Sequence, residues 1–142
     1  MAVFHTASRE ETVALGRRMA AKLAPGTLVA FTGGLGMGKT AFCQGLAEGL
    51  GCTDPVSSPT FAIVNYYRGP RPLAHFDLYR IHSEDDLETA GFYEYLDQGA
   101  VVATEWSENF ADLLAAEHPV WVNILPGAGP EDRTIEIEGV EP

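Results

Sequence analysis

Eight residues constrain this chain more than any others. Residues 33–40 read Gly33-Gly34-Leu35-Gly36-Met37-Gly38-Lys39-Thr40, which fits G-x-x-x-x-G-K-[ST] at every position. Ahead of them, Thr27 to Thr32 (TLVAFT) is a short, mostly apolar run of strand length. Behind them, Phe42, Leu46 and Leu50 recur at helical spacing and Gly51 closes the segment. A strand that feeds a glycine-rich turn and then a helix is a unit of an α/β fold. The glycines let the backbone turn tightly and aim successive N–H groups at one point. The helix start adds unpaired N–H groups and the positive end of its dipole, so the unit predicts a phosphate cradle.

The remaining sequence supplies the partners such a unit needs. Ser8 followed by Glu11 reads as a capping box, and Leu15, Met19 and Leu23 give an apolar stripe on a first helix that Pro25-Gly26 ends. Residues 52–60 (CTDPVSSPT) read as a loop. Phe61–Tyr67 and Pro72–Tyr79 flank RGPR, which predicts a hairpin. Residues 83–97 carry six acids and no base and are expected to form one or two short helices. Val101-Val102-Ala103 leads a buried strand ending near Glu105. Asn109–Ala116 reads as helix. Val120–Leu125 and Arg133–Ile137 read as strands joined by PGAGP, with the acid-rich tail after Pro130 as a solvated edge. The expected architecture is α/β: a three-layer, P-loop NTPase-like fold with a mixed, mostly parallel sheet and an antiparallel hairpin insertion. The length of 142 residues fits a single domain, residues 1–142.

Composition narrows the function classes. Nine Lys and Arg against twenty Asp and Glu leave a net charge of −11, which opposes direct nucleic-acid binding. Two cysteines and four scattered histidines form neither a disulfide framework nor a zinc-ligand pattern. The first residues lack the basic start and apolar core of a signal peptide, and no apolar run approaches the ~20 residues of a membrane span. The expected location is therefore the cytoplasm.

The chemistry that the loop implies assigns roles to few residues. Lys39 would bring its charge to the β- and γ-phosphates, the Thr40 hydroxyl would hold Mg²⁺, and the backbone of residues 33–41 through Ala41 would cradle the nucleotide. The chain has two lysines, Lys22 and Lys39. Neither sits in the N-K-x-D context that reads guanine, which leaves ATP as the favoured nucleotide. Mg²⁺ also needs an acid at the end of a strand beside the loop. Glu105 and Asp77 both qualify. Glu105 ends the run most like a central parallel strand, while Asp77 could orient water or the metal shell. Thr60, in Ser57-Ser58-Pro59-Thr60, stands where a switch hydroxyl could sense the γ-phosphate. Beyond Arg80 only Arg133 remains to supply an arginine-bearing lid, so a small-molecule kinase is the alternative rather than the first reading.

GGLGMGKT at 33–40, SSPTF at 57–61, HFDLYR at 75–80 and TEWSE at 104–108 together resemble the TsaE (YjeE) family. These are small P-loop ATPases of bacterial threonylcarbamoyladenosine synthesis on tRNA. The resemblance covers nearly the whole chain. It implies ATP as substrate, Mg²⁺ as cofactor and an accessory role beside the TsaB–TsaD heterodimer, with tRNA met only through that complex. It implies weak hydrolysis by the protein alone. It also implies that Lys39 and Thr40 hold the phosphates and Mg²⁺, that Thr60 is the switch hydroxyl and Asp77 the acid of the H-x-D motif, and that Glu105 is a Mg²⁺ ligand. Trp106 follows as a site or interface residue. Tyr79 and Arg80 become candidates for the active region. Cys43 and Cys52 read as helix packing residues, and Arg68 and Arg71 as solvated or partner-facing.

Overall fold

The computed structural model describes residues 1–33, 38–54 and 63–142. Seven strands form one sheet: β1 (Ala2–Thr6), β2 (Leu28–Thr32), β3 (Val64–Tyr67), β4 (Leu73–Asp77), β5 (Val101–Glu105), β6 (Val120–Pro126) and β7 (Arg133–Glu138). Their spatial order is β1-β7-β6-β2-β5-β4-β3. The central strands β6, β2, β5 and β4 are parallel, and the outer pairs β1–β7, β6–β7 and β3–β4 are antiparallel.

Helices cover both faces and make three layers. On one face lie α1 (Arg9–Ala20) and α2 (Lys39–Gly49), whose Leu15, Met19, Phe42 and Leu46 pack on Val29, Phe31, Leu73 and Ala103. On the other lie α3 (Glu84–Thr89), α4 (Phe92–Asp97) and α5 (Ala111–Ala115), which bring Leu87, Phe92 and Leu114 onto Leu28, Ala30, Phe76 and Val102. Burial on both sides explains why the central strands read as continuous apolar runs rather than alternating ones. The pairing of α1 with α2 depends on glycine. A Cβ at Gly45 would stand 2.0 Å from the Val13 carbonyl oxygen and one at Gly16 2.3 Å from that of Phe42, so the two backbones approach closer than any side chain allows.

Several expectations change in detail. The N-terminal residues, left without a regular element in the sequence reading, form β1. This strand pairs with β7 from Ala2↔Ile137 to Thr6↔Arg133. β7 is therefore interior to the sheet, with Ile135 and Ile137 fully buried. It is not the solvated edge that its acids suggested, because those acids alternate with the buried isoleucines. The first helix has the expected Ser8 cap on the Glu11 N–H, but the Glu11 carboxylate accepts from the N–H of Ala7 rather than closing the box on Ser8. The hairpin's second strand stops at Asp77, before Tyr79. The Asp77 carboxylate takes the Tyr79 N–H and turns residues Leu78–Arg80 into a 3₁₀ turn. The expected helix at 109–116 is a 3₁₀ turn over Ser107–Phe110 followed by the shorter α5. Arg71 does not face outward: its guanidinium donates to the carbonyls of Ala20 and Leu23, closing the end of α1. Cys52 lies beyond α2 rather than on it, buried against the Tyr67 and Arg71 carbonyls.

Candidate nucleotide site

The parallel strands β2, β5 and β4 end on the same edge of the sheet. Their last residues are Thr32, Glu105 and Asp77, and Asp77 is the register partner of Glu105. In open α/β sheets this carboxyl edge is where ligands bind. α2 starts there, and its N-cap Gly38 has φ 90°. At the other end of the loop, Gly33 has φ 116°, and a Cβ on it would meet the Ile124 carbonyl oxygen of β6 at 2.3 Å. Only glycine fits that turn off the sheet. The turn's exit is tied sideways as well, because the Thr32 hydroxyl donates to Asn123 Oδ1 and the Asn123 amide donates to Glu136.

Lys39 is 5 % exposed. Its ammonium donates to the Gly33 carbonyl at 2.9 Å and lies 5.6 Å from the centroid of the Trp106 ring. The side chain thus bridges the two ends of the glycine-rich segment and packs its charge on an aromatic face. Trp106 also stacks obliquely with Tyr79, ring centroids 5.1 Å apart. Its backbone is left-handed, φ 61°. That uncommon conformation is held by buried bonds on either side: the hydroxyls of Thr104 and Ser107 meet at 2.8 Å, and Ser107 donates to the Thr104 carbonyl.

Glu105 precedes Trp106 and is mostly buried. His75 Nε2 stands 3.3 Å from its Oε2 and 3.9 Å from the Cys43 sulfur. Burial alone would raise the Glu105 pKa, but the hydrogen bond and charge of His75, then the charge of Lys39, bring it below the ordinary value. Burial likewise opposes charge on His75. The Cys43 sulfur and the Glu105 carboxylate outweigh it and hold the imidazole well above the usual histidine range. The result is an ionised carboxylate in a nearly dry setting, beside the single ammonium of α2.

Of the residues singled out from the sequence, Lys39, Glu105 and Trp106 meet here, with Gly33 and Gly38 as the flanks of the loop. Thr40 sits half-buried in the first turn of α2, and the Ala41 side chain is buried, leaving its backbone at the helix start. Asp77 is adjacent but engaged: one oxygen caps Tyr79 and the other lies 3.8 Å from Arg80 Nε. Gly34, Leu35, Gly36, Met37 and Thr60, with the rest of the 57–61 segment, lie outside the described residues.

Two residues stand at the site that the sequence reading named without giving them a site role. His75 was available as the one polar residue inside the apolar Leu73–Phe76 run. Arg133, the first residue of β7, runs beside the loop. A Cβ on Gly38 would stand 3.7 Å from its Nε, and that buried Nε has no hydrogen-bond partner among the described residues. The β6–β7 pairing, with Pro126 opposite Arg133, brings it there.

Comparison with known proteins shows the family. A family model described as "Threonylcarbamoyl adenosine biosynthesis protein TsaE" matches residues 6–135. The tRNA threonylcarbamoyladenosine biosynthesis protein TsaE of Bacillus subtilis is 39 % identical over 138 residues, covering 96 % of this chain and 85 % of that protein. The Nostoc protein of the same name is 36 % identical, covering 92 % and 82 %. The crystal structure of Bacillus subtilis YdiB superposes with a TM-score of 0.79 at 34 % identity, covering 99 % of this chain and 86 % of that one. The chain belongs to the TsaE family of threonylcarbamoyladenosine biosynthesis proteins.

Proposed function

We propose that this TsaE-family protein binds ATP with Mg²⁺ at the carboxyl edge of β2 and β5 and hydrolyses it as an accessory ATPase of tRNA threonylcarbamoylation, beside TsaB and TsaD. The observation that carries this reading is that Lys39, at the N-terminus of α2 with its ammonium by the Trp106 ring, and Glu105, at the end of β5, share the carboxyl edge of β2 and β5.

The residues suit the chemistry. Phosphoryl transfer to water asks the protein for positioning and charge stabilisation more than for covalent steps. Lys39 would exchange the Gly33 carbonyl for phosphate oxygens, and the N–H groups opening α2 would share the negative charge. Thr40 and Glu105 would hold Mg²⁺, a hard cation suited to hydroxyl and carboxylate oxygens. When bound, the metal would neutralise charge on the β- and γ-phosphates. Asp77, next to Glu105 in register, would orient the attacking water or the metal's water shell, and Thr60 would sense the γ-phosphate. Trp106 would pack beside the phosphates. The net charge of −11 assigns tRNA contact to a partner with a basic surface.

The test is ATP hydrolysis measured with and without the purified TsaB–TsaD pair. Slow release of inorganic phosphate alone, rising when the pair is added, is the expected result. Phosphate appearing on a small-molecule acceptor instead would overturn this reading in favour of a kinase.

A further inference from the structure

We propose that His75 is a positioning residue: its Nε2, 3.3 Å from Glu105 Oε2, holds that carboxylate in place at the end of β5 and thereby sets the affinity of the site for a divalent cation. The inference rests on the reading of Glu105 as the metal's acid.

His75 is hard to explain as packing. It lies in the middle of β4 between Ala74 and Phe76, and both it and its neighbours are fully buried. Its ring faces the α1–α2 side of the sheet, with the Cys43 sulfur 3.9 Å from Nε2. Nδ1 is buried without a partner among the described residues. An unpaired buried polar atom costs stability that an apolar side chain of similar volume would not. The ring brings Nε2 to two groups, the Cys43 sulfur at 3.9 Å and Glu105 Oε2 at 3.3 Å, and the carboxylate is the nearer and the charged one. β4 and β5 are in parallel register, His75 opposite Ala103 and Asp77 opposite Glu105. The imidazole therefore reaches the carboxylate diagonally from the strand interior, behind the site. With one oxygen tied there, the other is left for the cation side. Partners of this kind, placed behind a ligating carboxylate, fix its rotamer before the ligand arrives.

The experiment compares His75→Leu, His75→Gln, Glu105→Gln and the double variant His75→Leu/Glu105→Gln. Gln keeps an N–H near the position of Nε2, whereas Leu removes it. The first readout is the metal-free crystal structure of each single His75 variant. Glu105 should keep its rotamer in His75→Gln and leave it in His75→Leu. An unmoved Glu105 in His75→Leu overturns the proposal, whatever Glu105 does for metal. The second readout is Mg²⁺ titration by calorimetry with a non-hydrolysable ATP analogue bound. His75→Leu should lose about 10- to 100-fold in Mg²⁺ affinity, His75→Gln should recover most of it, and His75→Leu should add no further loss in the Glu105→Gln background. Additive losses would mean a merely structural effect and would also overturn it. If Glu105→Gln leaves Mg²⁺ affinity unchanged, the metal reading of Glu105 fails and the affinity claim for His75 fails with it. The rotamer readout then shows separately whether the histidine holds the carboxylate. Should His75→Leu fail to fold, the same readouts on His75→Gln and His75→Asn decide, since the Asn amide is too short to reach Glu105.

Discussion

Asp77 and Glu105 are register partners at the ends of adjacent parallel strands, yet their carboxylates face different work. Glu105 lies 3.3 Å from His75 Nε2, whereas Asp77 caps the 3₁₀ turn that starts at Leu78. Substitution should separate them. Glu105→Gln should cut ATP hydrolysis by about 10²-fold or more and also lower the melting temperature, because it leaves the buried His75 without its carboxylate. Asp77→Asn keeps an oxygen able to cap Tyr79, so it should be nearly neutral for stability, and Asp77→Ala should cost about 1 kcal/mol in thermal unfolding. Unchanged hydrolysis in Glu105→Gln, or an unchanged melting temperature in Asp77→Ala, would contradict this division.

His75, raised by Cys43 and Glu105, and Glu105, lowered by His75, make stability depend on pH in both directions. Glu105 has a depressed pKa in the fold, so its contribution is complete above the ordinary glutamate value of 4.5 and is lost as pH falls through the depressed one. His75 has a raised pKa, so its contribution is complete below the ordinary histidine value of 6.5 and is lost as pH rises through the raised one. Both are fully present between 4.5 and 6.5. The melting temperature of the metal-free protein relative to His75→Leu should be highest in that window and decline on either side. A difference that is flat with pH would show that the pair does not titrate in the folded state.

Gly45 tests the seam that carries the loop. Its missing Cβ lets α2 approach the Val13 carbonyl of α1, where an added carbon would stand at 2.0 Å. Two helix backbones must separate to admit it, so Gly45→Ala should cost at least about 2 kcal/mol despite alanine's better helix propensity. For a chain of this size the melting temperature should fall by roughly 5 °C or more. A rise in melting temperature would mean that propensity outweighs the clash.

What was legible in the sequence follows what is local. The loop motif, the strand ahead of it and the helix behind it depend on adjacent residues, and the structure has β2 and α2 where the glycines put them. Glu105 was legible because β5, buried on both faces between β2 and β4, reads as an apolar run that ends on an acid. β1 was not legible: its alternating burial is half-exposed, and its partner β7 is more than a hundred residues away. Arg133 was hidden because its place beside Gly38 follows from the order of β7, β6 and β2 in the sheet, and the diagonal contact across β4 and β5 hid His75, whose neighbours in sequence are ordinary core residues. Arg71 was misjudged for a related reason, since its partners are carbonyls at the far end of α1.

Arg133 offers the sharpest test of the site's unread half. Its Nη1 donates to the carbonyls of Pro130 and Asp132, which fixes the side chain along the turn before β7. Its buried Nε lies beside Gly38 with no partner among the described residues. A cation held at the start of α2 adds to the field that Lys39 and the helix dipole present to phosphate. Arg133→Ala should therefore weaken ATP binding by about tenfold, the worth of one charged hydrogen bond. Arg133→Lys should restore part of that, because the charge returns but the planar fork does not. The measurement is calorimetric titration with ATP, with thermal unfolding of the nucleotide-free variants alongside. A loss of melting temperature without any loss of affinity would assign Arg133 to the β6–β7 turn alone.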